Sequence, residues 1–154
     1  MGDIKKELLA PCGLYCGVCA VFLAHRDNNV KFKERIIKVY APFTQTVEDI
    51  QCTGCLSDGI LFGLCQHCHI RKCTEKKRIE GCHQCNEFPC KYITKFPIEV
   101  GKRVILRAIP FRRKHGTERW VEEEEKRYHC PECGNQLFRG AKRCNRCRIS
   151  VDSD

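Results

Sequence analysis

Apolar residues recur at helical spacing in a stretch near the N-terminus. Asn28 or Asn29 can cap the start of this helix with a side-chain oxygen, and Pro42 closes its end. The apolar positions between them are Val30, Phe32, Ile36, Ile37, Val39 and Tyr40. The pattern therefore predicts a helix that packs one apolar face against the rest of the chain.

Two further helices are predicted in the second half of the chain. Apolar and basic residues interleave over residues 101–109, which predicts a helix that ends at Pro110, because proline lacks the N–H group that continues a helix. Thr117 is a typical N-cap for the next helix, and acidic residues follow it at the positive end of the helix dipole. The acidic run at residues 122–125 is interpreted as a solvated helix face.

Cysteine dominates the rest of the chain. The 154 residues include 15 cysteines, a fraction typical of disulfide scaffolds or metal sites, and residues 52–90 are predicted to be mostly loops organised around them. Six pairs have the spacing C-x-x-C: Cys16 and Cys19, Cys52 and Cys55, Cys65 and Cys68, Cys82 and Cys85, Cys130 and Cys133, Cys144 and Cys147. Pairs of this kind present two thiolates to one ion, so the spacing favours metal sites.

The cellular setting supports metal over disulfides. No apolar export segment precedes the first cysteine, so we expect a cytoplasmic protein in which disulfides rarely persist. An odd number of cysteines also fits poorly with a closed disulfide framework. We expect three to four Zn²⁺ ions per chain. The predicted metal ligands are Cys12, Cys16, Cys19, Cys52, Cys55, Cys65, Cys68, Cys73, Cys82, Cys85, Cys90, Cys130, Cys133, Cys144 and Cys147.

The C-terminal cysteines resemble a short zinc ribbon. Two C-x-x-C pairs flank ten residues, and Pro131 and Gly134 suit the tight turn around the first pair. A core this small cannot fold without its ion, so we expect replacement of Cys130 or Cys144 by serine to unfold this segment and to spare the residues before 120, whereas chelation of all the metal should also collapse the N-terminal part. The predicted domains are a cysteine-rich multi-metal domain over residues 1–127 and a zinc ribbon over residues 128–154.

The grouping of the other eleven cysteines stays open at this point. The preferred first site combines Cys52 and Cys55 with two of Cys65, Cys68 and Cys73. A second site draws on Cys12, Cys16 and Cys19, and a third on Cys82, Cys85 and Cys90. Because three four-ligand sites need one more donor, His67, His69 or His83 is a candidate ligand. Each of these histidines is more typical of a surface residue or a neighbour of the site.

The net charge of the chain depends on whether its cysteines bind metal as thiolates. The formal net charge is +9, which normally points to nucleic acid. Fifteen thiolates and four divalent ions add seven negative charges, which would lower the formal charge to about +2. Nucleic-acid binding through residues 112–114 is therefore only weakly supported. No apolar run is long enough to span a membrane, so no membrane association is expected.

Long cysteine motifs carry a resemblance to a known family. They are residues 10–19 (APCGLYCGVC), 52–56 (CTGCL), 68–73 (CHIRKC), 81–90 (GCHQCNEFPC) and 116–120 (GTERW). Over about residues 8–122 the chain is similar to the cysteine-rich DUF3795 family, in which some members carry an added C-terminal ribbon. The resemblance implies bound zinc but no known activity.

The fold class predicted from these patterns is a small, metal-stabilised α+β protein. It has short helices and zinc knuckles with little regular sheet, plus a C-terminal zinc-ribbon hairpin. No nucleophile–base arrangement or His-Glu-x-x-His motif is present, so a structural or interaction role with an unknown protein partner is favoured over an enzyme. The main alternative is an iron–sulfur electron-transfer or redox protein using Cys12, Cys16 and Cys19, and the spacing Cys82-x₂-Cys85-x₄-Cys90 can also serve a cluster. Thiol or metal handling and a nucleic-acid-binding accessory role are further alternatives.

Overall fold

Helices supply nearly all of the regular structure. The computed structural model describes residues 3–154. The α-helices are α1 (Ala20–Arg26), α2 (Val30–Val39), α3 (Gly63–Gln66), α4 (His69–Lys77), α5 (Lys91–Thr94), α6 (Glu99–His115) and α7 (Thr117–Arg127). Short 3₁₀ turns lie at Lys6–Leu8, Cys16–Val18, Val47–Asp49 and Cys82–Gln84.

Strand pairing is almost absent from the described part of the chain. Isolated antiparallel bridges join His129 to Gln136 and Arg143 to Ser150, both in the C-terminal segment, by which we mean residues 128–154. The prediction of a small fold with short helices, cysteine clusters and little regular sheet is therefore confirmed. The protein is mostly helical, and the zinc-ribbon identity of the C-terminal segment stays a prediction.

Helix α2 follows the sequence pattern closely. The side-chain oxygen of Asn29 accepts a hydrogen bond from the backbone N–H of Phe32 at 3.1 Å, so Asn29 is the N-cap. Asn28 instead adopts a left-handed backbone with a φ of 46°, which ends the turn after α1. Because α2 packs on α1, its buried Ile36 joins a small apolar cluster with Val21, Ala24 and other residues of this end of the molecule.

The predicted end of helix α6 at Pro110 is wrong. The helix runs from Glu99 to His115 with Pro110 inside it. Pro110 cannot donate to the carbonyl of Leu106 four residues earlier, but both residues are exposed, so water can satisfy that carbonyl. The buried face of α6 carries Ile105 and Ile109 before the proline and Arg112 after it, each at most 2% exposed, and this burial on both sides of the proline holds the helix together.

Two details of helix α7 also differ from the sequence prediction. Thr117 is the first helical residue rather than the N-cap, and its hydroxyl accepts a hydrogen bond from Arg112 Nε at 3.1 Å instead of capping the helix. Glu124, within the acidic run interpreted as solvated, is only 1% exposed. Its carboxylate faces Arg107 on α6, with Arg107 Nη1 2.5 Å from Glu124 Oε1.

The region predicted to be loop-dominated is more helical than expected. Helices α3 and α4 and the 3₁₀ turn at Cys82–Gln84 all lie within residues 52–90. Helix α4 has nine residues and buries Ile70 and Thr74, which are four positions apart on one face. These two residues are the only buried positions of α4. A pattern of two positions is too short to distinguish a helix from a loop by sequence.

One large apolar cluster joins both ends of the chain. It contains residues from the N-terminal segment, α6, α7 and the C-terminal segment, and its largest fully buried side chains are Trp120 and Tyr128. Leu137 and Ala141 from the C-terminal segment belong to the same cluster as Leu8 and Val18. None of the described helices is both long enough and apolar enough to cross a membrane.

Replacing Glu124 by glutamine is expected to destabilise the protein by about 2–3 kcal/mol, because it removes the carboxylate partner of Arg107 inside the α6–α7 interface. Glu123→Gln is the matched control: Glu123 is half-exposed and pairs with Arg127 at 3.5 Å, so we expect a loss below about 1 kcal/mol. Urea unfolding of metal-loaded protein measures both losses. Equal losses in the two variants would show that the buried pair Arg107–Glu124 contributes no more to stability than the exposed pair Glu123–Arg127.

Candidate metal centres

The four cysteines of the C-terminal segment form a compact group. Cys130 Sγ lies 3.5 Å from Cys147 Sγ, and Cys133 Sγ lies 3.7 Å from Cys144 Sγ. All four sulfur atoms lie within 4.8 Å of one another. A zinc ion with Zn–S bonds of about 2.3 Å holds four sulfurs at tetrahedral edges of about 3.8 Å. The group therefore has the dimensions of a tetrahedral four-thiolate ion site.

Two similar backbone turns present these sulfurs. The N–H of Gly134 donates to the carbonyl of Cys130 at 2.9 Å, and the N–H of Arg148 donates to the carbonyl of Cys144 at 3.0 Å. Gly134 and Arg148 both have left-handed backbones, with φ values of 69° and 68°. Because the turn is repeated, both C-x-x-C pairs present their sulfurs to the same centre in a similar way.

The environment of these thiols already favours a negative charge at one position. Backbone N–H groups of Cys147 and Arg146 donate to Cys144, and they lower the pKa of its thiol to about 6. The N–H of Ile149 lowers the pKa of Cys147, but desolvation and hydrogen bonds to the other three thiols raise it overall to about 12. Since a metal binds thiolates, a cation in the centre would replace the shared protons.

Arg139 connects the C-terminal segment to residues 15–18, which contain the 3₁₀ turn at Cys16–Val18 and are called the N-terminal cysteine turn below. Its backbone N–H donates to the carbonyl of Val18 at 2.9 Å, and its Nη2 donates to the carbonyl of Tyr15 at 2.6 Å. The ring of Phe138 lies 4.8 Å from that of Phe32 on α2. The division into two domains at residue 128 stays a prediction. These contacts connect residues 128–154 with the part of the chain that precedes them.

A second gathering of cysteines lies around Cys55. We call it the seven-cysteine group; its members are Cys12, Cys16, Cys19, Cys52, Cys55, Cys65 and Cys68. The N–H of Cys55 donates to Cys16 Sγ at 3.4 Å. Burial raises the pKa of Cys12 and of Cys16 well above the ordinary thiol value, and the negative charge of Cys55 raises both further. Burial and the charges of Cys19 and Cys52 likewise raise the pKa of Cys65.

Two arginines place positive charge beside the seven-cysteine group. Arg71 Nη1 lies 3.9 Å from Cys55 Sγ. Burial lowers the pKa of Arg139, but the charges of Cys19, Tyr128 and Cys16 raise it overall. Guanidinium groups keep their charge at every physiological pH, so they stabilise thiolates rather than thiols here. Neither arginine stands out in the sequence. Arg139 in particular reaches this group from a part of the chain more than 100 residues away.

A third gathering contains Cys73, Cys82, Cys85 and Cys90. Burial raises the pKa of Cys82 to about 12, with further contributions from the charges of Cys90, Cys85 and Cys73 and a smaller one from Cys68. Cys73 therefore lies with the cysteines of residues 82–90, whereas the sequence offered it as a partner of Cys52 and Cys55. Helix α4 explains the difference, because it carries Cys73 away from Cys68 along its length.

The candidate histidines lie beside these groups. Burial, together with the charges of Arg112 and Arg113, lowers the pKa of His83 to about 4, so this imidazole is neutral at neutral pH. The ring of His69 stacks on that of Tyr92 at 5.7 Å. Within residues 3–154 the compact group that can hold an ion contains four cysteines and no histidine.

Comparison with known proteins identifies a family for this chain. A family model described as a protein of unknown function (DUF3795) matches residues 8–95, which is more than half of the chain. No curated protein and no solved structure matches the chain significantly. The matched range holds all eleven cysteines that precede the C-terminal segment.

Proposed function

The chain belongs to the DUF3795 family of proteins of unknown function, and on that premise we propose that it is a metal-scaffolded interaction protein. Its C-terminal four-cysteine group holds a structural Zn²⁺ ion. Its remaining cysteines hold further metal, and the fold built around these sites presents a surface to a partner protein.

The observation that carries this proposal is the distance between the C-terminal sulfurs. The two Sγ–Sγ separations, 3.5 Å and 3.7 Å, match the edge of a four-thiolate zinc tetrahedron. Four cysteines complete the coordination shell of zinc, so no position is left for water or substrate. A closed shell of this kind supports a structural role for the ion rather than a catalytic one.

A protein partner is favoured by exposed apolar side chains at one end of the molecule. Phe43 and Ile60 are 46% and 47% exposed and line the same open cavity as Pro42 and Leu61. Contiguous exposed apolar surface is typical of sites that bind other proteins.

The basic residues proposed for nucleic acid are largely engaged within the chain. Arg112 is 2% exposed, and its guanidinium lies 4.5 Å from the centre of the Trp120 ring. Arg113 donates to the carbonyls of His83 and Cys85 at 2.9 Å and 2.8 Å. These contacts support a structural role for residues 112–113 next to the cysteine turns, and they leave nucleic acid as the weaker candidate.

The zinc site is tested by metal titration of the full chain. Cys147→Ser is expected to lose one equivalent of tightly bound zinc and, with it, the share of the thiolate-to-cobalt absorption that one four-thiolate Co²⁺ site contributes in the wild type. Arg146→Ala is the matched control, because this exposed side chain lies in the same turn and supplies no ligand. Equal zinc and cobalt binding in wild type and Cys147→Ser would refute the proposal.

A further inference from the structure

An apolar pocket of about 420 Å³ opens beside the third cysteine gathering. Four cysteines line it: Cys73 from α4, Cys82 at the start of the 3₁₀ turn, Cys85 directly after that turn, and Cys90 just before α5. The remaining wall is mainly apolar and includes Ile70, Ile79, Phe88 and Tyr92. The pocket therefore combines four soft ligands with a largely dry lining.

The spacing of these four sulfurs differs from that in the C-terminal segment. Among residues 3–154, the C-terminal group alone brings three or more metal-binding atoms all within 4.8 Å of one another. Any three of Cys73, Cys82, Cys85 and Cys90 therefore include at least one pair more than 4.8 Å apart. A single zinc ion holds its sulfurs about 3.8 Å apart, so these four sulfurs lack the compact arrangement of a single-ion site.

Four thiolates that surround an open space fit a larger inorganic group. A cubane cluster places four iron atoms between its cysteine ligands, and each ligand binds a different iron. The sulfurs of such a site are therefore farther apart than those around a single ion. The spacing Cys82-x₂-Cys85-x₄-Cys90 can serve such a cluster, and Cys73 on the neighbouring helix α4 supplies the fourth ligand.

Positive charge and hydrogen-bond donors stand at the rim of the pocket. Lys77 Nζ donates to Cys85 Sγ at 3.4 Å and also pairs with Glu87. Arg113 Nη2 donates to the carbonyl of Cys85 at 2.8 Å and lies 3.4 Å from that of Cys82. A four-thiolate cluster carries net negative charge, and donors to its sulfurs are a usual means of stabilising it.

We propose that this pocket binds a [4Fe–4S] cluster through Cys73, Cys82, Cys85 and Cys90. The protein then holds two kinds of metal site: a compact site for a single ion in the C-terminal segment and a wide site for a cluster between α4 and α5. The cluster site is separate from the zinc site in sequence and in its ligands, so each can fail without the other.

The full chain, purified without oxygen and reconstituted with Fe²⁺ and sulfide, tests this assignment. Cys73→Ser and Cys90→Ser are each expected to contain about four fewer iron atoms and four fewer sulfides than the wild type, with unchanged zinc. Cys147→Ser is the matched control and is expected to lose zinc and keep its iron. Retention of wild-type iron in Cys73→Ser and Cys90→Ser would overturn the assignment, as would a wild type that takes up zinc in this pocket and no iron.

A second pair of variants covers the case in which loss of a ligand disrupts the fold. Lys77→Met keeps all four cysteines, so its iron content is expected to equal that of the wild type. Removal of its charge and hydrogen bond beside Cys85 should shift the midpoint potential of the cluster to a more negative value. Lys76→Met, the exposed neighbour on α4, should leave the potential unchanged. Identical potentials in Lys77→Met and Lys76→Met would place the cluster elsewhere and overturn the assignment.

Discussion

Replacing Cys144 by serine is expected to release the C-terminal zinc ion and to unfold the C-terminal segment. Cys144 is fully buried and belongs to the apolar cluster that also contains Tyr128, Leu137 and Trp120. Zinc contributes about 10–16 kcal/mol to the folding of small four-ligand modules, which is comparable to the whole stability of an ordinary domain. The loss is therefore expected to be the largest that a single substitution causes in this segment.

The same substitution is expected to reach the N-terminal cysteine turn. Arg139 donates to the carbonyls of Val18 and Tyr15, so unfolding of the C-terminal segment removes two hydrogen bonds from residues 15–18. The sequence alone led us to expect that the residues before 120 would be spared, and these contacts change that expectation. Amide spectra of the full chain measure the extent of the loss, with the exposed Arg143→Ala as control. Unchanged amide signals for residues 8–120 in Cys144→Ser would contradict this coupling.

Replacing Trp120 by alanine is expected to destabilise the protein by about 3–5 kcal/mol. Trp120 is fully buried, and its ring makes an edge-on contact with Tyr15 at a centroid distance of 5.8 Å. The guanidinium of Arg112 lies over the same ring at 4.5 Å. Alanine would leave a cavity between α7 and the Cys16–Val18 turn, and it would remove the aromatic face that stabilises the buried charge of Arg112.

Urea unfolding at constant metal content measures the effect of this substitution. Trp120→Phe is the matched control, because phenylalanine keeps an aromatic ring beside Tyr15 and Arg112 and should lose distinctly less stability than alanine. A loss below about 1 kcal/mol for Trp120→Ala would show that α7 can repack without its central side chain.

Local patterns made part of the structure predictable. Asn29 caps α2 because a side-chain oxygen before an amphipathic stretch acts within one helical turn. The C-terminal cysteines likewise form their group through two short turns of the same type, and the two C-x-x-C pairs are only ten residues apart, so the sequence indicated that they belong together. In both cases the decisive contacts join residues close in sequence.

Tertiary packing decided the features that the sequence could not supply. Helix α6 continues through Pro110 because its buried face, with Ile109 before the proline and Arg112 after it, fixes both halves in the core. Arg139 reaches the N-terminal turn from a distant part of the chain, and no local signal marks it. Cys73 lies on a helix whose apolar pattern is brief, so its position beside Cys82 was open until the path of α4 was known.

Anomalous X-ray scattering at the zinc absorption edge, on crystals of the full chain, tests the central claim most directly. We predict a peak at the centre of the four sulfurs of Cys130, Cys133, Cys144 and Cys147, with zinc–sulfur distances of about 2.3 Å. A metal-replete crystal with no zinc peak among these four sulfurs would contradict the account.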